Sequence, residues 1–287
     1  LEGNIVIVAG FQGVTTNNEI TTLGRGGSDT TAAALAAALQ SAVCQIYTDV
    51  QGVFTADPSL VSRARLLPFI SYDEMLEYAV SGSTVLHPRC VEIAKKFDVP
   101  LEVRSSFENQ SGTLIISEEH VEEVAITGVT GDMNIARVAL TQVKDVPGMA
   151  AKISQCLAEA SINILLIIQG IRHDQSNDVS LIIAQNDADL AKSVLHSAAG
   201  GVGAKEIKVD TSVAKVSVIG SGVASNPGVA ARMFQSLAKH NINIELISSS
   251  EVRIACIISE DDLDSAVRAI HDEFGLEKLE RRKVQPS

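Results

Sequence analysis

Residues 146–167 read VPGMAAKISQCLAEASINILLI and residues 226–247 read NPGVAARMFQSLAKHNINIELI; aligned without gaps, they share 12 of 22 residues. Agreement on that scale marks two copies of one small module. In each copy a strand leads into Pro-Gly, a helix with apolar residues at helical spacing follows, and Ile-Asn-Ile opens a second strand. Proline suits the first helical turn because its missing N–H would have no partner there. The bare glycine backbone beside it leaves N–H groups free to hold an anion such as a small ligand's carboxylate. The plainer alternative is that Pro-Gly only starts a helix inside a βαββαβ packing unit.

Working outward, the acidic run at 118–123 (EEHVEE) reads as a linker or the start of a new domain. The stretch before it alternates strand and helix patterns, with strands expected at 4–9, 44–47 and 101–104 and helices at 29–42, 72–80 and 88–97. That alternation implies an α/β unit, a mostly parallel sheet with helices on both faces, whose ligands bind beyond the carboxyl ends of the strands. The expected units are residues 1–120, 124–205 and 206–280, the last two being ferredoxin-like α+β modules.

Residues 22–29 (TLGRGGSD) set an arginine, a serine and an aspartate among three glycines at the mouth of an alanine-rich helix. Glycines let backbone N–H groups approach an anion closely, and the helix adds its positive end at the same spot. Arg25 offers a planar fork for a carboxylate, while Asp29 can pair with an ammonium group. Together with Gly26, Gly27 and Ser28 they describe a pocket for a zwitterion such as an amino acid. Two alternatives stay open: an ordinary turn with Ser28 or Asp29 as N-cap, and a generic phosphate loop. The second lacks Gly-Lys-Ser/Thr and the G-x-G-x-x-G spacing.

The 287 residues suffice for two or three domains with real cores, and 46% hydrophobic with 20% charged residues is a globular composition. A net charge of -12 argues against nucleic acid or an anionic membrane as partner. The run Arg281-Arg282-Lys283 reads as a solvated tail. No apolar stretch is long enough to span a bilayer and no signal peptide opens the chain, so a cytoplasmic location is expected. Cys44, Cys90, Cys156 and Cys256 have no metal or disulfide spacing and read as small buried hydrophobes. The six histidines, His120 and His173 among them, form no ligand pair, and no metal site is expected. His87, before a proline, reads as structural.

The string TTLGRGGSD resembles the aspartate kinases of the amino acid kinase family. Tyr47-Thr48-Asp49-Val50 with Gly52 and then Thr55-Ala56-Asp57-Pro58 looks like that family's nucleotide loop. Residues 85–89 (VLHPR) and 103–107 (VRSSF) resemble two later family signatures. Asp-x-Pro-Gly-x-Ala followed by Ile-Asn-Ile resembles the ACT domain, an amino-acid-binding module that such kinases carry in pairs. The resemblance implies phosphorylation of L-aspartate by ATP with Mg2+ to 4-phospho-L-aspartate, entry to lysine, threonine and methionine synthesis, with feedback by lysine and/or threonine. It implies substrate contacts at Arg25, Gly26, Gly27, Ser28 and Asp29, and nucleotide contacts at Thr48, Asp49, Phe54, Asp57, Ser59, Thr84 and Val85. Effector contacts fall on Asp145, Val146, Pro147, Gly148, Met149, Ala150, Asn163, Ile164 and Gln169 in the first copy. In the second they fall on Val229, Ala230, Asn243, Ile244, Ser250 and Glu251, with effectors between the copies and a homodimer formed through them.

The chain departs from the family at three points. Ser59 stands where an arginine is usual, Thr84 where a lysine is usual, and Leu165 where an aspartate often follows Ile-Asn-Ile. Two phosphate-facing cations are thus replaced by hydroxyls, which weakens ATP binding unless Arg63, Arg65 or a lysine substitutes. The family's Lys-Phe-Gly-Gly segment would precede Leu1. Because its lysine stabilises the transferring phosphoryl group, the chain alone is expected to be inactive. The alternatives are a non-catalytic amino-acid-sensing regulatory subunit and, less favoured, a kinase for another amino acid such as glutamate.

Overall fold

A computed structural model describes residues 3–118, 126–171, 176–197 and 203–278. The Arg281-Arg282-Lys283 tail, His120, His173 and most of the acidic run lie outside them.

The first unit opens on an antiparallel hairpin, β1 (Gln12–Val14) with β2 (Ile20–Thr22). It continues through α1 (Gly27–Ala38), β3 (Cys44–Thr48), β4 (Phe69–Ser71), α2 (Tyr72–Val80), α3 (Pro88–Phe97), β5 (Leu101–Ser105) and β6 (Thr113–Ile116). Helix α2 starts where Ser71 and Glu74 form a reciprocal capping box. Helix α3 starts at Pro88 behind a His87 cap and stops at Asp98, which takes a left-handed conformation at φ 50. The sheet order is β3-β5-β6-β4, with β3/β5 and β4/β6 parallel and the central β5/β6 pair antiparallel. Residues 4–9, expected as a strand, make no ladder; Ile5 and Ile7 stand exposed, because an apolar strand without a neighbouring strand has nothing to pair with. Helices α1, α2 and α3 share one core with Cys44, Ile46, Leu101 and Val103. The opposite face carries Gln45 bonded to Glu102 and Arg104 stacked on Tyr47.

The paired modules are two four-stranded antiparallel sheets, each backed by two helices. The first contains β8 (Ile135–Lys144), α4 (Met149–Glu159), β9 (Ile164–Ile171), β10 (Ser176–Ala184), α5 (Ala188–Ser197) and β11 (Glu206–Asp210), in strand order β11-β8-β10-β9. The second contains β12 (Val213–Ile219), α6 (Gly228–Lys239), β13 (Leu246–Ser249), β14 (Arg253–Ser259) and α7 (Leu263–Glu273). Its fourth strand is β7 (Gly128–Asp132), which pairs with β12 from Gly128↔Ile219 to Lys215↔Asp132.

This topology moves the expected boundaries. Residues 128–132 belong to the second module's sheet, and 206–210 complete the first. The first module is therefore an insertion between β7 and β12. Each sheet needs a fourth strand beside its opening one, and the chain supplies it from before the module in one copy and after it in the other.

The two modules also differ in their cores. Ala136, Leu140, Ile153, Leu157, Leu181 and Leu195 belong to a core built wholly from the first module. The second module's core takes in Ala56 and Val61 from the first unit, and Ile219 of β12 is buried in the first unit's core. A small apolar cluster of Ile135, Ile182, Val213 and Ile257 joins the two modules.

Candidate functional site

The glycine block forms the N-terminus of α1. Gly26 is its N-cap at φ 70 and no side chain caps the helix; the Gly27 N–H bonds the Gly24 carbonyl at 3.0 Å, which leaves the Ser28 and Asp29 N–H groups for an anion. Close packing demands the glycine: a Cβ on Gly26 would lie 2.3 Å from the His87 ring. His87 Nδ1 accepts the Arg89 N–H at 3.3 Å, and the Arg89 guanidinium donates to the Leu23 carbonyl at 3.3 Å. The His-Pro-Arg segment thus buttresses the block. Arg25 is exposed, and Ser28 donates to Asp29 at 3.4 Å.

A cavity of about 200 Å³ lies where the first unit meets the second module. Phe54, Asp57, Thr84 and Val85 line it, together with Tyr78 and with Val129, Thr130, Gly131 and Val267 from the second module. Thr48, Asp49 and Ser59 do not. Thr48 donates to Asp49 at 3.0 Å, and Ser59 N–H caps the Asp57 carboxylate at 2.8 Å, so these residues shape their turns. Arg63, a candidate replacement cation, is held by Asp272 at 2.8 Å and by Glu277. The lining suits the apolar and hydroxyl-bearing end of a nucleotide better than its phosphates. Among the described residues, no group of three His, Cys, Asp or Glu could hold a metal ion.

A second cavity, of about 340 Å³, opens at the Pro-Gly end of the first module. Residues 145–150 and Gln169 line it, as do Lys144, Ile153 and Asn177. Gly148 is the N-cap of α4 at φ 92 with no side-chain cap; the Met149 N–H reaches the Val146 carbonyl at 3.4 Å, which leaves the Ala150 and Ala151 N–H groups for a carboxylate. Asp145 accepts the Asn177 amide at 2.9 Å and adds the negative charge that an ammonium group needs. Asn177 is only 5% exposed, and its Oδ1 has no partner among the described residues. Nothing in the sequence marks Asn177, because it enters through the β8–β10 pairing next to a register shift at 177/179. Asn163 and Ile164, at the start of β9, lie outside this cavity.

The second copy's matching residues have a different fate. Val229 is 2% exposed inside the core, and Ile244 packs against that core. Ser250 donates to Glu77 of α2 at 2.9 Å, and the Glu251 carbonyl accepts the Ala224 N–H at 3.2 Å. None of Val229, Ala230, Asn243, Ile244, Ser250 or Glu251 lines the first module's cavity.

Of the four cysteines, Cys44, Cys90 and Cys256 are buried, and Cys156 is half-buried. Burial pushes the Cys90 and Cys256 thiols up to about 12, which keeps them unreactive.

An α/β segment with a glycine-lined helix mouth, followed by two interleaved modules of four strands and two helices, defines a kinase-type unit joined to a pair of ACT domains. The amino acid kinase family model matches residues 1–105, and the ACT domain model matches residues 141–198 and 216–274. The chain is 47% identical over 282 residues to an aspartate kinase of Pseudomonas fluorescens strain SBW25, covering 98% of this chain and 68% of that protein. It therefore belongs to the aspartate kinase family. E. coli aspartokinase III in complex with aspartate and ADP, in its R-state, superposes at a TM-score of 0.81 and 28% identity, covering 93% of this chain and 60% of that one. The same enzyme with lysine and aspartate, in its T-state, gives 0.73 and 29%, covering 92% and 58%. The chain spans about two thirds of the curated relative's length and about three fifths of these solved chains.

Proposed function

We propose that this chain is the regulatory and nucleotide-side part of an aspartate kinase that phosphorylates the β-carboxylate of L-aspartate with MgATP. The observation carrying this reading is the meeting of Phe54 and Asp57 with Thr84 and Val85, from two separate loops, around one cavity beside the second ACT domain. Arg25 and the open N-terminus of α1 hold a substrate carboxylate, and Asp29 meets its ammonium group. The acceptor carboxylate is already ionised at neutral pH, so no general base is needed and the residues serve to position and to balance charge. Bound ATP supplies the phosphoryl group, with Mg2+ carried on its phosphates.

Regulation falls to the first ACT domain, whose cavity offers both a helix N-terminus and Asp145 to an amino acid, lysine or threonine by family likeness. The E. coli relative was solved with lysine and aspartate, which supports an amino acid as effector. A homodimer through the ACT domains and a cytoplasmic location complete the reading. The test is ADP release by the complete protein with L-aspartate against L-glutamate, alongside calorimetric titration of the chain with lysine and threonine. Equal turnover of both acids would sink the substrate assignment. A protein that binds effector but neither ATP nor aspartate would instead be a regulatory subunit.

A further inference from the structure

Both loops that line the cavity beside the second ACT domain are fastened to that domain. In the loop that carries Phe54 and Asp57, Thr55 is fully buried: its carbonyl accepts the Val129 N–H of β7 at 2.8 Å, and its hydroxyl lies 3.1 Å from His271 Nε2 on α7. Further along, Arg268 of α7 donates to the Leu60 carbonyl at 2.8 Å. The loop that carries Thr84 and Val85 follows the end of α2, where Lys215 Nζ donates to the Val80 carbonyl at 2.9 Å and pairs with Asp132 at 3.4 Å. Just beyond, Gly82 sits at φ 109 so close to β7 that a Cβ would come 2.2 Å from the Gly131 carbonyl.

Lys215 has an 8% exposed side chain, and a charge is tolerated at such a site only when hydrogen-bonded and paired. Its position on the last carbonyls of α2 is also where a helix favours a cation. A purely cohesive contact could be apolar; this one ties the last turn of α2 to a particular point of the β12–β7 ladder. Among the described residues, none of the first ACT domain lines this cavity.

We propose that Lys215 is a positioning residue for the nucleotide site: by holding the end of α2 against β12 and β7, it sets where Thr84 and Val85 stand relative to Phe54. This rests on the reading of the cavity as the nucleotide site. Steady-state kinetics of the complete protein provide the test, with thermal melting as a check that each variant is folded. Lys215→Met is expected to raise the KM for MgATP about tenfold and leave the KM for aspartate unchanged, with Lys215→Arg restoring most of the loss. Thr55→Val, which removes the hydroxyl facing His271, tests the other loop and is expected to shift the same constant in the same direction by a smaller factor. Val85→Trp, which fills the cavity, tests the underlying reading.

If Val85→Trp raises the KM for MgATP while Lys215→Met and Thr55→Val do not, the inference fails and the site assignment stands. If Val85→Trp leaves that KM unchanged, the site assignment fails and takes the inference with it. A fall in kcat for Lys215→Met with both KM values unchanged would show a structural role only and overturn the proposal.

Discussion

The two ACT domains bury the same residues at aligned positions of their Pro-Gly helices: Ile153 and Met233, and Leu157 and Leu237, are all 0% exposed. What differs is the segment that leads into the helix. In the first domain β8 ends at Lys144 and α4 begins at Met149, so Asp145 to Gly148 form a short open lip over a cavity. In the second, β12 ends at Ile219 and α6 begins at Gly228; the longer intervening segment folds back, with Val223 buried and the Ser221 N–H on Glu74 of α2 at 3.2 Å. A repeated sequence therefore need not mean a repeated function. One copy's lead-in borders a cavity at its helix start, while the other's longer lead-in docks onto α2 of the kinase segment.

The sharpest way to break this comparison is to cut the two cores alike. Leu157→Ala and Leu237→Ala should each cost about 2–5 kcal/mol, readable by chemical denaturation. The first should impair effector binding and spare nucleotide binding, because its core is self-contained; the second should impair nucleotide binding, because its core includes Ala56 and Val61. Identical losses for the two variants would erase the distinction.

Next in size are changes at the open lip. Asp145→Ala should weaken effector affinity by tenfold or more, about 1.5–3 kcal/mol for a charged hydrogen-bond partner, whereas Ser225→Ala at the aligned position should leave it unchanged. Calorimetry on both variants decides this, and an equal response would place an effector in the second domain too.

A smaller effect concerns pH. Burial holds the His271 imidazole below its usual range, with Arg63 adding to the push and Asp272 and Glu277 opposing it. The unfolded state then binds the proton more readily. The stabilisation by neutral His271 is complete above about pH 6.5 and is lost as the pH falls from there through the lowered folded value. Melting curves between pH 7.5 and 5.5 should show a decline that His271→Leu reduces. Smallest of all, Arg63→Ala removes surface pairs with Asp272 and Glu277 and should change stability by no more than about 1 kcal/mol; a larger loss in urea melts would make those pairs a principal tie between the units.

Local signals were legible in the sequence where the chain needs only its near neighbours. Helices α2 and α3 fall on the expected residues because Ser71 with Glu74, and His87 with Pro88, cap them with groups a few residues away. The glycine block lands at a helix mouth for the same reason. Asn177 was not legible, since only the β8–β10 pairing brings it beside Asp145. The strand expected at 4–9 failed because apolar patterning states a preference for burial without supplying a partner.

By itself, then, the sequence determined the family, the presence of two ACT copies, and the residues at each helix start, because these depend on composition, spacing and capping within a single element. Only the tertiary structure decided that the copies interleave, with β7 lent to the second sheet and the first domain inserted whole between β7 and β12. It also decided that Arg63 is tied to α7, and that the segment before the second copy's Pro-Gly helix reaches α2 through Ser221 while the first copy's lip borders a cavity. Those outcomes rest on strand pairing and side-chain contacts between residues far apart in the chain, where equally apolar segments compete and only the assembled fold selects one partner.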